Sequence, residues 1–429
     1  MESIRWGILG TGAIAKAFAE ALKETEGELV AVASNTESRA KEFCDVYDCS
    51  PIQGYQNLIS DSEIDAVYIA TPHPSHFELS AECLRNKKAV LCEKPLSMNA
   101  TETMALIDLS RKNNTLLMEA FMYKIHPQTK EIINLVSKRL NGPLNIQAEF
   151  CFSVDVPETH RLVNKELGGG SILDIGCYPA SISRYIVGSV NDKAFMNPIS
   201  IEGEGELNNQ GIDLNASASL KFADGSIAEI KSATNFVSES NVTISDNNLT
   251  IIINQPWHCG EFTDRESEIK IIDNQGNKEI IEVKTDKGLY ALQIDHFSEL
   301  YRNESIESSL IPHNDSHGNM ILLDTWRRDL KVIYDADRGE RRQVSIIPSS
   351  TPKSLPSLTI PGINKELSRV VFGCDNQSDS NHAFAMFDHF FQQGGNVFDT
   401  AYIYNDGKSD SYLGGWINSR ALRDEVVIL

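Results

Sequence analysis

The sequence predicts an α/β chain in three parts. A doubly wound parallel sheet comes first, an α+β part with a large, mostly antiparallel sheet follows, and the opening turns of a further α/β unit end it. Three observations carry this. Short apolar strands alternate with helices up to about residue 120. Two-residue alternation takes over from Asn145. A Pro/Ser/Thr-rich stretch over 343–366 separates a renewed strand–helix pattern.

In order, the first part reads as strand Ile4–Leu9, helix, strand Glu28–Ser34, helix, strand Ala66–Ala70, helix His76–Leu84, strand Ala89–Cys92, helix Thr101–Lys112 and strand Thr115–Met118. The second reads as strands at 146–152, 199–207, 217–222, 226–232, 241–245, 250–254, 269–273 and 278–283. Asp224-Gly225 and Asn274-Gln275-Gly276 serve as turns. Helices near 129–140 and 171–187 are expected to cover the other face, and helices near 289–302 and 316–332 end the unit. The expected domain limits are 1–120, 121–337, a linker at 338–366, and 367–429.

The 429 residues carry 39 basic and 60 acidic side chains, a formal charge of −21. That field repels phosphate backbones, so nucleic acid is not expected as a partner. No apolar run reaches the roughly 18 residues needed to cross a bilayer. Eight cysteines form no CxxC pair and no metal spacing, so a reducing, cytoplasmic setting without a metal is expected. The start also leaves no room for a signal peptide.

Gly10-x-Gly12-x-x-Ala15 follows the first strand and opens a helix. Gly10 permits the turn, Gly12 lets a pyrophosphate approach, and Ala15 allows close packing. With Ala13 and Ile14 at the helix start, a Rossmann dinucleotide site is expected, the plainer alternative being a glycine-rich turn without a ligand. The second strand ends Ser34-Asn35-Thr36 with no acid for a ribose 2′-hydroxyl. Ser34, Asn35 and Arg39 instead suit a 2′-phosphate, so NADP is expected and NAD is the alternative. Thr71, His76, Glu93 and Lys94 complete the expected cofactor set at strand ends.

Glu93-Lys94-Pro95 closes a strand where ligands bind in open sheets. On spacing alone, Lys94 is an ordinary surface lysine. Gly168-Gly169-Gly170 precedes Asp174 and Tyr178, which share a face if helical. A lysine cation near the phenol would favour phenolate, making Lys94 and Tyr178 an acid/base pair. Asp174 as a helix cap and Tyr178 as a packing residue is the plainer alternative. Tyr123 and His126 are further candidates for substrate contact, and His73 a weaker one.

Gly10-Thr11-Gly12, Glu93-Lys94-Pro95 and the Gly168–Gly170 run with Asp174 together resemble the glucose-fructose oxidoreductase/inositol dehydrogenase family over about residues 2–337. Glu119–Gln128 and Asp174–Pro179 are most similar to its dimeric dihydrodiol dehydrogenase and xylose dehydrogenase branch. The resemblance implies an NADP-dependent oxidoreductase acting on a sugar, cyclic diol or related hydroxyl or carbonyl compound. It implies catalytic Lys94, Tyr178 and Asp174, substrate contacts from Tyr123, His126, Asp174 and Tyr178, and a homodimer through the second sheet. Asn35 and Lys124 depart from the branch, which commonly has arginine at both positions. The competing class is a dinucleotide-binding sensor or scaffold without turnover.

Phe398-Asp399-Thr400-Ala401-Tyr402-Ile403-Tyr404, between Gly394-Gly395 and Leu413-Gly414, resembles the start of an aldo-keto reductase (β/α) barrel. Asp399 and Tyr404 match two of that family's four catalytic positions. The expected piece is a partial barrel of about three strands, at 369–372, 397–399 and 426–429. A truncated second reductase, inactive by itself and prone to poor order or aggregation, is the expectation.

Overall fold

The computed structural model describes residues 3–341 and 355–429. Internal contacts divide the chain into two units, Met1–Ile333 and Tyr334–Leu429.

The first unit begins with six parallel strands: β1 (Arg5–Leu9), β2 (Glu28–Ser34), β3 (Ser50–Gln53), β4 (Ala66–Ile69), β5 (Ala89–Cys92) and β6 (Leu117–Glu119). Their order is β3-β2-β1-β4-β5-β6, so the chain reverses direction across the sheet between β1 and β4. Strand ends there form a crevice, the usual ligand position in such sheets. Helices α1 (Ala13–Leu22), α2 (Glu37–Tyr47), α3 (Tyr55–Ile59), α4 (His76–Arg85) and α5 (Ala100–Asn113) connect the strands. Strand β3 was not expected. Its sequence, Ser-Pro-Ile-Gln, is polar and holds a proline, which only an edge strand accommodates.

Helix α5 starts where Asn99 accepts the Glu102 N–H, and Glu102 accepts the Met98 N–H in return. Helix α6 (Pro127–Arg139) starts likewise. The His126 ring accepts the Gln128 N–H at 3.1 Å, and Pro127 occupies the first turn.

The second sheet has eight strands: β7 (Asn145–Cys151), β8 (Ser200–Leu207), β9 (Asp213–Lys221), β10 (Ile227–Ala233), β11 (Val242–Ser245), β12 (Leu249–Ile253), β13 (Glu266–Asp273) and β14 (Lys278–Lys284). Their order is β14-β13-β12-β11-β7-β10-β9-β8. All neighbours are antiparallel except β7 and β10. Along β10, Ala228 and Ile230 are buried while Ile227 and Glu229 are exposed, the alternation of a sheet covered on one face. Helix α7 (Cys177–Ser189) packs on β7 and β10 and against α9 (His313–Asp329).

The two sheets are tied together. Helix α9 lies on α5, where Asp324 accepts the Ala100 N–H and Arg327 donates to the Met98 carbonyl. Helix α8 (Leu289–Arg302) lies on α1, and Phe297 meets Trp6 at 5.0 Å between ring centres. A buried ion cluster joins Lys124 and Arg184 to Asp315, with Asn197 accepting from Arg184.

In the second unit, β15 (Ser357–Leu358) and β16 (Leu367–Ser368) pair antiparallel. Strands β17 (Phe372–Gly373), β18 (Val397–Asp399) and β19 (Val427–Ile428) form a parallel three-stranded sheet. The first barrel-like strand was expected at 369–372. It forms later because Phe372 is the residue that pairs with Phe398. Helices α10 (Ser380–Gln392) and α11 (Lys408–Arg420) enclose a core of Phe384, Phe387, Phe398 and Trp416. Of the Pro-rich stretch, Pro348 and Pro352 lie outside the described residues.

Candidate active site

The glycine loop after β1 has the geometry an anion needs. Gly10 adopts φ +104°, and a Cβ there would sit 2.8 Å from the Ala70 carbonyl oxygen. A Cβ on Gly12 would meet nothing within 4 Å, so the first turn of α1 is open. That turn has no side-chain cap and no acid. Its N–H groups and helix dipole favour a negative ligand.

A cavity of about 1130 Å³ opens over this loop. Its wall includes Gly10, Gly12, Ala13, Ile14, Ser34, Arg39, Thr71, His76, Glu93 and Lys94 from the first sheet's loops, and Asp174 and Tyr178 from the second part. The volume lies at the upper end of the roughly 300–1,000 Å³ of ligand pockets.

At the β2 end, Ser34 is buried and its Oγ accepts the Thr36 N–H at 3.2 Å. Arg39 makes no ion pair with the described residues and lies on the wall. Asn35 is exposed and does not line the cavity.

The loop after β5 is held from several sides. The Lys94–Pro95 bond is cis. His76 has Nδ1 2.8 Å from the Pro95 carbonyl and Nε2 2.8 Å from the Thr71 carbonyl. The ring thus sits between the loops after β4 and β5, and a neutral ring donates to one of the two carbonyls. The Glu93 carboxylate accepts from the Tyr68 hydroxyl at 2.5 Å. Burial raises that carboxyl, against the pull of Lys94. Behind the loop, Glu119 accepts the Leu96 N–H at 3.0 Å, and burial lifts its carboxyl to about 7.

The triple glycine lets three segments converge. Gly168 and Gly170 have positive φ. A Cβ on Gly168 would press on the His73 and Met98 side chains at 3.0 Å, and one on Gly169 would lie 2.7 Å from the Arg161 carbonyl oxygen. Beyond them the chain makes a π-helical turn over Ile172–Gly176 before α7 begins. Asp213 anchors that turn, accepting from Ser171 Oγ and the Ile172 N–H at 2.8 and 2.6 Å. The expected regular helix from 171 is thus locally widened, a feature frequent at functional sites.

Asp174 is buried beside two cations and a neutral imidazole. Arg161 donates to Oδ1 at 2.8 Å, Lys94 Nζ lies 3.8 Å from the same oxygen, and His73 Nε2 lies at 3.8 Å. Burial would raise this carboxyl, but the Lys94 and Arg161 cations outweigh it and hold it well below the usual range. Its Oδ2 accepts no hydrogen bond from the described residues. Lys94 also donates to the Asp174 carbonyl at 2.5 Å. Burial lowers the His73 pKa to about 3, so the ring is neutral, with Nδ1 3.0 Å from the Gly168 carbonyl.

Tyr178 stands in an aromatic box of Phe121, Tyr123, Phe150 and Trp257, ring centres 5.4–5.7 Å away. Its hydroxyl bonds to no described residue. Lys94 Nζ sits over the ring, 5.2 Å from its centre. The expectation of a favoured phenolate is corrected here. Burial, then Cys177, Tyr290, Glu93 and Asp174, push the phenol well above its ordinary value, so it is protonated.

Two candidates are not brought to the cavity. Tyr123 is fully buried and its hydroxyl donates to Ser181 at 2.8 Å. His126 is spent as the cap of α6, and burial lowers it to about 4. Sequence reasoning missed Arg161 and gave His73 little weight. No local signal marks Arg161, because its partner Asp174 lies across the glycine turn.

A Rossmann crevice thus lies beside a lysine, an aspartate and a protonated phenol. Comparison with known proteins supplies the family. Residues 4–121 match the oxidoreductase family with NAD-binding Rossmann fold, and residues 128–254 match the GFO/IDH/MocA C-terminal domain. The chain belongs to the GFO/IDH/MocA oxidoreductase family. Residues 370–429 match the aldo/keto reductase family.

The trans-1,2-dihydrobenzene-1,2-diol dehydrogenase of Xenopus tropicalis is 36% identical over 224 residues, 51% of this chain and 66% of that one. The match thus spans just under two thirds of that relative. D-xylose 1-dehydrogenase (NADP(+)) 2 of Haloferax volcanii is 32% identical, covering 53% of this chain and 69% of its own. Among solved structures, the 3-ketoreductase KijD10 of Actinomadura kijaniata, with NADP and TDP-benzene, superposes with TM-score 0.69 at 24% identity, over 76% of this chain and 98% of that one. Aldose-aldose oxidoreductase of Caulobacter crescentus gives 0.67 at 20% identity, over 77% and 98%. These structures share the fold.

Proposed function

We propose that the chain is an NADP-dependent oxidoreductase that moves hydride between nicotinamide and a carbon bearing a hydroxyl or carbonyl group, on a sugar, a cyclic diol or a related compound. One observation carries it: Tyr178 presents an unbonded, protonated hydroxyl to the cavity beside Lys94 and Asp174. Relatives named for NADP and for diol or xylose oxidation support the same reading.

Bound nicotinamide would supply the hydride donor or acceptor. The chain's own groups do the rest. The first turn of α1 takes the pyrophosphate, and Ser34 and Arg39 take the 2′-phosphate. In the reducing direction Tyr178 donates its proton to the substrate oxygen. In the oxidising direction the phenol must first release its proton to solvent, a change the Lys94 cation 5.2 Å from the ring favours, and the resulting phenolate then receives the hydroxyl proton. Asp174 holds Lys94 through its carbonyl and leaves Oδ2 to accept from a neighbouring substrate hydroxyl.

Tyr178→Phe is expected to retain NADPH binding and lose about 10²–10⁴-fold in kcat. Unchanged kcat would remove Tyr178 from this role.

The reading extends to a homodimer through the uncovered face of the second sheet, where Ile227 and Ile280 are exposed. Light scattering giving a monomer would remove it. A cytoplasmic setting accords with eight unpaired cysteines. The domain limits 1–120, 121–337 and 367–429 are part of the same proposal, testable by limited proteolysis.

A further inference from the structure

Arg161 is placed as few surface arginines are. It lies on the cavity wall with its side chain 49% exposed, yet its NH1 is fixed at 2.8 Å on a buried carboxylate. Among the described residues that is its sole side-chain hydrogen bond. A guanidinium has two edges that offer paired N–H groups, and NH1 belongs to only one of them. The edge formed by Nε and NH2 is therefore complete and unclaimed. Asp174 fixes the guanidinium so that less rotamer entropy is lost on binding. Lys94, 3.8 Å from the same Asp174 oxygen, adds a second cation. Asp174 offsets one of these two charges, and Glu93 is turned to Tyr68.

We infer that Arg161 is a specificity-determining residue, and that the substrate carries a carboxylate next to its reacting hydroxyl-bearing carbons, held by the Nε/NH2 edge of Arg161. The planar fork matches a carboxylate in two parallel N–H···O bonds, which a neutral hydroxymethyl group cannot reproduce. A sugar acid fits this pocket better than the neutral sugar of the same ring. The inference deepens the function proposed above and rests on its substrate pocket.

Binding, not turnover, is the deciding readout. A hexuronate, the matching neutral hexose and the matching hexose 6-phosphate are titrated against the full chain. Binding is followed by melting-temperature shift with and without NADPH, for wild type, Arg161→Gln and Arg161→Lys. The expected result is hexuronate binding at least about tenfold tighter than hexose in the wild type. Arg161→Gln should bring the two to equal affinity, and Arg161→Lys should lose most of the difference because it keeps the charge but not the fork. Equal binding of hexuronate and hexose by the wild type, undiminished discrimination in Arg161→Gln, or tighter binding of the phosphate would overturn the inference. So would failure of a folded chain to bind the hexuronate. NADPH binding is read separately by its fluorescence, so loss of the cofactor reading is distinguishable from loss of the carboxylate.

Discussion

The chain holds two Asp–Tyr pairs, Asp174 with Tyr178 and Asp399 with Tyr404, and their surroundings differ. In the first unit Tyr178 is 4% exposed, its hydroxyl is unbonded, and a lysine and an arginine flank its aspartate. In the second, the Tyr404 hydroxyl donates to Asp399 at 3.1 Å. That bond raises the phenol, and the nearby Asp375 and Cys374 raise it further. No described lysine or arginine forms an ion pair with Asp399. Two residues at the right spacing therefore specify little. What sets the first pair apart is an enclosing cavity, cations drawn from distant segments, and a hydroxyl with no bond to a described residue.

The strongest way to break this comparison is to remove each hydroxyl in turn. Tyr178→Phe should lower kcat by the two to four orders of magnitude given above, whereas Tyr404→Phe should leave kcat and KM unchanged in the same assay. Equal losses would mean that the second unit takes part in turnover.

Stability against pH sharpens the comparison next. Burial raises Glu119 to about 7 and Asp213 to about 6, both in the framework of the first site. Their folded pKa values lie above the unfolded ones, so between about pH 4 and 7 the native state binds more protons. The melting temperature of the first unit should therefore fall as pH rises through that window. Glu119→Gln should remove roughly 3 kcal/mol of the dependence. Asp174 acts oppositely, contributing stability above about pH 4 that is lost in stronger acid. A flat profile in the wild type would show that Glu119 is not buried as described.

A smaller effect is expected from Gly169→Ala. The added methyl meets the Arg161 and Leu162 carbonyls at 2.7–2.8 Å, so the backbone must move. Shifting Arg161 away from Asp174 should cost about tenfold in kcat/KM, roughly 1.4 kcal/mol, with NADPH affinity unchanged. Loss of NADPH binding instead would mean that this loop supports the Rossmann half.

Much of the molecule is legible in the sequence because its signals are local. The Gly10–Gly12 turn, the alternation of strands with helices, and the two-residue period of β9 and β10 each need only a short window. Lys94, Asp174 and Tyr178 were reachable because two short motifs carry them. What was not legible depends on long-range packing. His73 and Asp174 are 101 positions apart and meet through the glycine-lined crossing at Gly168. Tyr123 and His126 sit within two residues of recognisable helix signals, yet burial turns one onto Ser181 and spends the other as a cap. The phenol's protonation state was misread because burial, not the nearby cation, dominates it.

The most direct test of the central claim is a fluorescence titration of the purified chain with NADPH and, separately, NADH. The open first turn of α1 and Arg39 on the wall predict binding of both, with NADPH at least about tenfold tighter, and Arg39→Ala should narrow that gap. Tighter NADH binding would contradict the 2′-phosphate assignment. A folded chain that binds neither would contradict the oxidoreductase reading itself.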